Sequence, residues 1–252
     1  MNIDFPASDQ IPLLKQLWTA AFGDGDEFLT SFFEIAYAPE RCRCITADGQ
    51  IAAALYWFDC SCRNQRFAYV YAVATHPDFR NQGLCARLMA DVRTLLTEQG
   101  YDGILLYPAS EGLSRMYEKL GYHRCTSVTE FTCTPAAAPV PLEQIDKHRY
   151  AQLRRRLLPA GGTIQEGVLL DFLASQADFY AGTDFVAAVT VNSGHVHCLE
   201  LLGNTAAAPG LLCALGAQTG FFRTPGQEIP FAMALFLTEK AEDPAYFGLP
   251  LD

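Results

Sequence analysis

The stretch Val73-Ala74-Thr75-His76-Pro77-Asp78-Phe79-Arg80-Asn81-Gln82-Gly83-Leu84-Cys85-Ala86 decides how the first half of this chain folds. Val73 and Ala74 close a strand-like run that begins near Arg66, and Pro77 with the polar residues after it interrupts that run. From Leu84 to Gln99 the spacing is helical, with Leu88, Val92, Leu95 and Leu96 on one stripe and Gly100 where a helix C-terminus favours positive φ. A strand, a sharp loop and a helix start, in that order, present backbone N–H groups with no intrahelical partner at the positive end of the helix dipole. Such a turn suits a pyrophosphate-like anion. Gly83 lets the backbone approach closely. Arg80 can anchor the loop or meet the anion, and Gln82 adds a donor.

Working outward, the periodicity predicts helices over 10–22 and 26–37 and strands over 41–47, 50–62 and 66–75, with hairpin turns at Asp48-Gly49 and 63–65. A buried strand over 103–107 precedes a helix within Ser114-Arg115-Met116-Tyr117-Glu118-Lys119-Leu120-Gly121-Tyr122, and a strand over 122–132 follows. Residues 134–141, rich in Pro and Ala, have the composition of a semi-rigid linker. Beyond them the pattern predicts helices over 142–158 and 166–177, then strands over 184–192 and 195–202 joined at Asn192-Ser193-Gly194. A short helix over 209–218 and strands over 221–224 and 231–238 complete the series. This second series echoes the first in abbreviated form, without a residue-level repeat.

The loop and the Tyr117 segment together resemble the acyl-CoA site of the GNAT acyltransferase superfamily. Arg80, Gly83 and Cys85 stand in its Gln/Arg-x-x-Gly-x-Gly/Ala pattern, Cys85 departing from the usual Gly or Ala, with a sulfur that could crowd a phosphate. Tyr117, Gly121 and Tyr122 match its Tyr-x-x-x-Gly-aromatic pattern. The resemblance covers residues 1–133 and implies a mixed α/β GNAT fold there, followed over 142–252 by a reduced, degenerate GNAT-like α/β domain walling the acceptor pocket. It implies acetyl-CoA as co-substrate, no metal, and a small-molecule primary amine as acceptor. Val73, Ala74 and Thr75 would then offer backbone groups to the pantetheine arm. Arg80, Asn81, Gln82, Gly83, Leu84, Cys85 and Ala86 would hold the pyrophosphate, and Ser110 would stand where many members have a CoA-contacting Asn. Tyr117, otherwise a core tyrosine on an amphipathic helix, would protonate the departing sulfur.

The 66–75 strand carries Tyr69 and Tyr71 but no acid, so the general base stays open between water chains to distant acids and Asp252 at the end of an apolar tail. In the Enhanced intracellular survival branch, which this chain loosely resembles, a terminal carboxylate is the base. The competing fate for such a tail is fraying. In the second half, Leu202-Gly203-Asn204 through Pro209-Gly210 lacks a cationic anchor. Arg154-Arg155-Arg156 reads as a solvated helix face, His195 and His197 as a surface strand, and Glu200 as exposed, with a place lining a pocket as its alternative.

Composition narrows the classes. Half of the 252 residues are hydrophobic and 18% charged, as in a globular chain, and no apolar run approaches the roughly 20 residues that cross a bilayer. The Met1-Asn2-Ile3-Asp4 start lacks the features of a signal peptide, so a cytoplasmic location is expected. The nine cysteines, odd in number and spaced unlike zinc ligands, fit reduced, strand-embedded thiols. Net charge is −10, spread evenly: 11 basic and 16 acidic residues over 1–135, 7 and 12 over 136–252. That balance argues against nucleic acid and against a tRNA-dependent acyltransferase, and mildly favours a cationic acceptor. No membrane partner is expected, and the sequence leaves the oligomeric state open. The rival to an enzyme is a non-catalytic CoA-binding or ligand-sensing module of the same fold.

Overall fold

The computed structural model describes residues 1–251. The first half runs β1 (Asn2–Asp4), α1 (Ile11–Phe22), α2 (Asp26–Ser31), β2 (Cys42–Ala47), β3 (Gln50–Cys62), β4 (Gln65–Thr75), α3 (Leu84–Glu98), β5 (Gly103–Leu106), α4 (Glu111–Lys119), β6 (His123–Arg124) and β7 (Ser127–Cys133). The second half runs β8 (Glu143–Ile145), α5 (Lys147–Leu157), α6 (Val168–Gln176), β9 (Asp178–Ala181), β10 (Phe185–Asn192), β11 (His195–Gly203), α7 (Ala208–Ala214), β12 (Thr219–Pro225), β13 (Ile229–Pro230) and β14 (Met233–Phe236). The expected hairpins form where turn chemistry demanded them. Asp48-Gly49, Arg63-Asn64 and Ser193-Gly194 all take positive φ at both central residues, the twist that two-residue hairpins need.

The strands make two mixed seven-stranded sheets, ordered β1-β2-β3-β4-β5-β14-β6 and β13-β7-β12-β11-β10-β9-β8. Each holds one parallel pair, β4–β5 in the first and β11–β12 in the second, joined by a crossover through α3 and α7 respectively. The remaining pairings are antiparallel.

Sheet membership does not follow the boundary expected at residues 133/134. The strand expected over 122–132 is two strands: β6 stays on the first sheet, while β7 crosses to the second and pairs with β12. In exchange β14, from the far end of the chain, enters the first sheet between β5 and β6, with Met233 opposite both Leu106 and Arg124. The segment 134–141 is also tied down. The Ala136 N–H donates to the Pro209 carbonyl at 2.8 Å, and the Val140 N–H to that of Gly210 at 3.3 Å. The helix expected over 142–158 is shorter, because β8 occupies 143–145 and Asp146 then caps α5, accepting from the Arg149 N–H at 2.7 Å.

One core lies between the halves and draws on both. Trp18, Phe32, Tyr56 and Phe58 of the first half meet Phe172, Leu173, Tyr246 and Phe247 of the second, all buried. At about 1.5–3 kcal/mol for each buried large apolar side chain, neither half is complete alone. A second core packs α3 and α4 on the other face of the first sheet, and a third packs α7 on the second sheet. The nine cysteines are free thiols, and Cys42, Cys44, Cys60, Cys62 and Cys198 are buried on strands.

Candidate active site

Strands β4 and β5 pair only over Phe67–Gly103, Ala68–Ile104 and Tyr69–Leu105, and then part. Strand β4 continues to Thr75 against β3, but two of its residues, Ala72 and Val73, face the single Leu55 between the Tyr56–Tyr71 and Ala54–Ala74 pairs. This is a β-bulge, with Ala72 at φ +48°, and it bends β4 where β5 leaves it. The His76 N–H donates to the Ala52 carbonyl at 2.9 Å. By alternation the backbone of Ala74 faces β3, whereas that of Val73 and Thr75 faces the gap.

At the end of β4 the chain turns through Asn81 (φ +61°) and Gly83 (φ +73°) into α3. Gly83 is the N-cap, no side chain caps the helix, and the first turn carries no acid. The N–H groups of Leu84, Cys85 and Ala86 therefore lack intrahelical partners. A Cβ on Gly83 would meet no atom within 4 Å, so the approach to these amides is open. The Arg80 Nε reaches the Thr75 carbonyl at 3.4 Å, fixing the exposed guanidinium beside the gap.

Below the loop, the gap widens into a cavity of about 450 Å³ lined by the Tyr69–Val73 stretch of β4, by Leu106–Ala109 after β5, by Leu113 and Tyr117 of α4, and by residues of the α1–α2 corner. Tyr117 is 6% exposed, and burial, with a smaller contribution from nearby Cys85, raises its pKa far above the ordinary value of 10.0. The hydroxyl is therefore a neutral proton donor at the cavity wall.

A strand thus parts from its parallel neighbour beside an uncapped helix N-terminus, and residues 2–125 match the family model described as an acetyltransferase (GNAT) domain. Residues 2–125 are a GNAT domain. The whole chain also superposes on solved GNAT structures at low identity. A GCN5-related N-acetyltransferase from Kribbella flavida gives TM-score 0.71 at 16% identity over 94% of this chain and 72% of that one. Eis1 from Mycobacterium abscessus gives 0.67 at 11%, over 94% and 74%. A tandem GNAT protein from the clavulanic acid biosynthesis pathway gives 0.58 at 11%, over 95% and 100%. At such identities the likeness is one of fold. No curated protein matches the sequence.

Within the GNAT domain the expected site residues fall in different places. Arg80, Asn81, Gln82 and Gly83 form the exposed loop, and Leu84 turns inward to the core. Cys85 is half-buried against the α3–α4 core, and burial raises its thiol pKa. Ser110 caps α4, accepting from the Leu113 N–H at 3.3 Å, and lines a separate cavity of about 300 Å³. Asp252 lies outside the described residues.

The chain leading to it is docked, however, not frayed. Thr163 N–H donates to the Tyr246 carbonyl at 2.7 Å, the Gln165 Nε2 to the Leu249 carbonyl at 2.8 Å, and the Leu251 N–H to the Tyr69 hydroxyl at 3.2 Å. Leu251 itself lines the cavity.

Two expectations for the second half are corrected. Arg154 is not part of a solvated face: it is 2% exposed and forks onto Glu200 at 2.7 and 3.0 Å, with further bonds to the Thr163 carbonyl (2.9 Å) and to Gln165 Oε1 (3.2 Å). Glu200 is fully buried, not exposed, and also accepts from the Tyr150 hydroxyl at 2.7 Å. This network holds Gln165, and Gln165 holds the tail. His197 is half-buried, its ring edge-on to Phe221 with centroids 5.0 Å apart. In the loop after β11, the Asp184 carbonyl accepts from the Asn204 N–H at 3.0 Å and lies where a Cβ on Gly203 would clash with it.

Sequence reasoning missed Asp24. It sits in the turn between α1 and α2, lines the cavity, and accepts from the Trp18 indole N–H at 2.7 Å. The only signal was an acid in a Gly-Asp-Gly turn, which any helix–helix corner can carry.

Proposed function

We propose that the protein transfers an acetyl group from acetyl-CoA to a primary amine of a small molecule. The observation that carries this is the end of β4–β5 pairing at Tyr69–Leu105, beside the free N–H groups of Leu84–Ala86 and above a cavity walled by Tyr117. The residues fit the donor: an open glycine, a helix start without acids, Arg80 at the rim, and the outward backbone of Val73 and Thr75 to pair with an extended arm. When bound, acetyl-CoA supplies a thioester that an amine nitrogen converts to an amide with release of the thiol. Tyr117 holds the proton that the released sulfur takes up. Asp252 follows Leu251 by one residue, within about 4 Å of chain, so its carboxylate is the proposed acceptor of the amine proton. The second half supports the tail through the Gln165–Leu249 bond, and Phe172 of α6 packs edge-on against the cavity-lining Phe28, with centroids 5.5 Å apart.

The test is calorimetric titration of the purified protein with acetyl-CoA, followed by a thiol-release assay over a panel of amines. Binding with turnover is expected. No binding at millimolar ligand removes the proposal, and binding without turnover over a broad panel gives the sensing module instead.

A further inference from the structure

The α1–α2 corner of the cavity has a chemistry of its own. Trp18, 2% exposed, anchors it, with the Phe22 ring edge-on at 5.7 Å, Phe28 at 6.1 Å and Tyr71 at 5.7 Å between centroids. Phe22 is 46% exposed, with the buried indole beside it and the cavity before it. Among the described residues that line the cavity, Asp24 is the single charged side chain. The Trp18 indole takes its Oδ2 and fixes its direction, while its Oδ1 has no partner among the described residues. An oriented carboxylate within an aromatic wall complements a cation that carries an apolar body: the ammonium meets the carboxylate and the ring faces, and the body displaces water from the rings.

We infer that the acceptor is a primary amine bearing an aryl or comparably apolar group, bound with its ammonium on Asp24 and its apolar group against Phe22, Phe28 and Tyr71. This deepens the transferase proposal and rests on it for the word acceptor, but the binding site stands on the cavity alone. Asp24 is a specificity-determining residue, not a proton-transfer group. An aliphatic polycation such as spermidine satisfies the carboxylate but leaves the rings uncovered, and a neutral aryl alcohol does the reverse.

The test is calorimetry with 2-phenylethylamine, 2-phenylethanol and spermidine on the wild-type protein and on Asp24→Asn, whose amide oxygen still accepts from Trp18. The wild type is expected to bind the amine at least about tenfold tighter than the alcohol, the scale of one charge-assisted hydrogen bond, and tighter than spermidine. In Asp24→Asn the preference for amine over alcohol is expected to fall at least about fivefold while alcohol binding and the unfolding midpoint hold. Equal binding of amine and alcohol to the wild type, no binding of the amine at millimolar concentration, or a preference that survives undiminished in Asp24→Asn overturns the inference. The wild-type comparison decides even if the variant does not fold. Acetyl-CoA is titrated separately: its failure to bind removes the transferase proposal and leaves the amine data to judge the cavity, whereas turnover of other amines with no 2-phenylethylamine binding removes only the inference.

Discussion

Tyr117 shows how burial fixes the protonation state of one residue. Its pKa lies above 10.0 because desolvation penalises the phenolate, so the hydroxyl keeps its proton through neutral pH and past pH 10. Replacement by Phe is expected to lower kcat about a hundredfold with little change in acetyl-CoA binding, as steady-state kinetics beside calorimetry would show. Equal loss in both would assign Tyr117 to packing. The Arg154–Glu200 pair makes the opposite case, of charge kept out of water for structure. Glu200→Ala would strand a buried guanidinium, at a cost of about 3–5 kcal/mol in urea denaturation, while Arg154→Met combined with Glu200→Leu should recover most of it. Tyr117 was legible because its motif is local. Arg154 was not, since its partner lies 46 residues away. The clue available was its i, i+4 relation to Tyr150 on one face of α5, which a run of three arginines obscures.

The β4–loop–α3 unit is the element in which sequence and structure agree most closely, because strand, turn and helix start are all written within fourteen consecutive residues. Its bulge at Ala72 was invisible, being a property of the pairing with β3 and not of β4 alone. Gly83 joins the two levels. At φ +73° an alanine costs about 1 kcal/mol in the free protein, although its Cβ has open space. That space is where the proposed pyrophosphate approaches. Gly83→Ala should therefore weaken acetyl-CoA binding at least about tenfold while lowering stability only by that modest amount, two quantities that calorimetry and urea denaturation separate. In the second half, the helices and hairpins were legible from periodicity. Strands β8 and β9, of three and four residues, were not, since they are too short to carry a period.

For the whole molecule, local patterns predicted which segments are strands but not which sheet receives them, and the Pro/Ala-rich stretch looked like a boundary that the sheets ignore. Met233-Ala234-Leu235-Phe236 reads as an ordinary buried strand; only its partners, Leu106, Leu105, Ile104 and Gly103, place it in the first sheet. A fragment of residues 1–133 should consequently lack a cooperative unfolding transition and near-ultraviolet circular dichroism, for want of β14 and the tail; a folded fragment would contradict this. Alkali should act on the molecule as a unit too. Burial raises the thiols of Cys42, Cys60 and Cys198 above 9.0 and the phenols of Tyr56, Tyr150 and Tyr246 above 10.0. Unfolded, these groups ionise first, so their contribution to stability is whole below pH 9 and is lost as pH climbs beyond it. The urea midpoint is expected to fall steadily from pH 9 upward. The exchange of β7 for β14 also sets a timetable for synthesis. At ordinary elongation rates, on the order of ten seconds separates the emergence of β5 from that of β14, and throughout that interval the nascent sheet exposes the bare flank of Gly103–Leu106. Folding on the ribosome must wait for Met233–Phe236 to emerge, and a chaperone that shields this flank would be its natural escort.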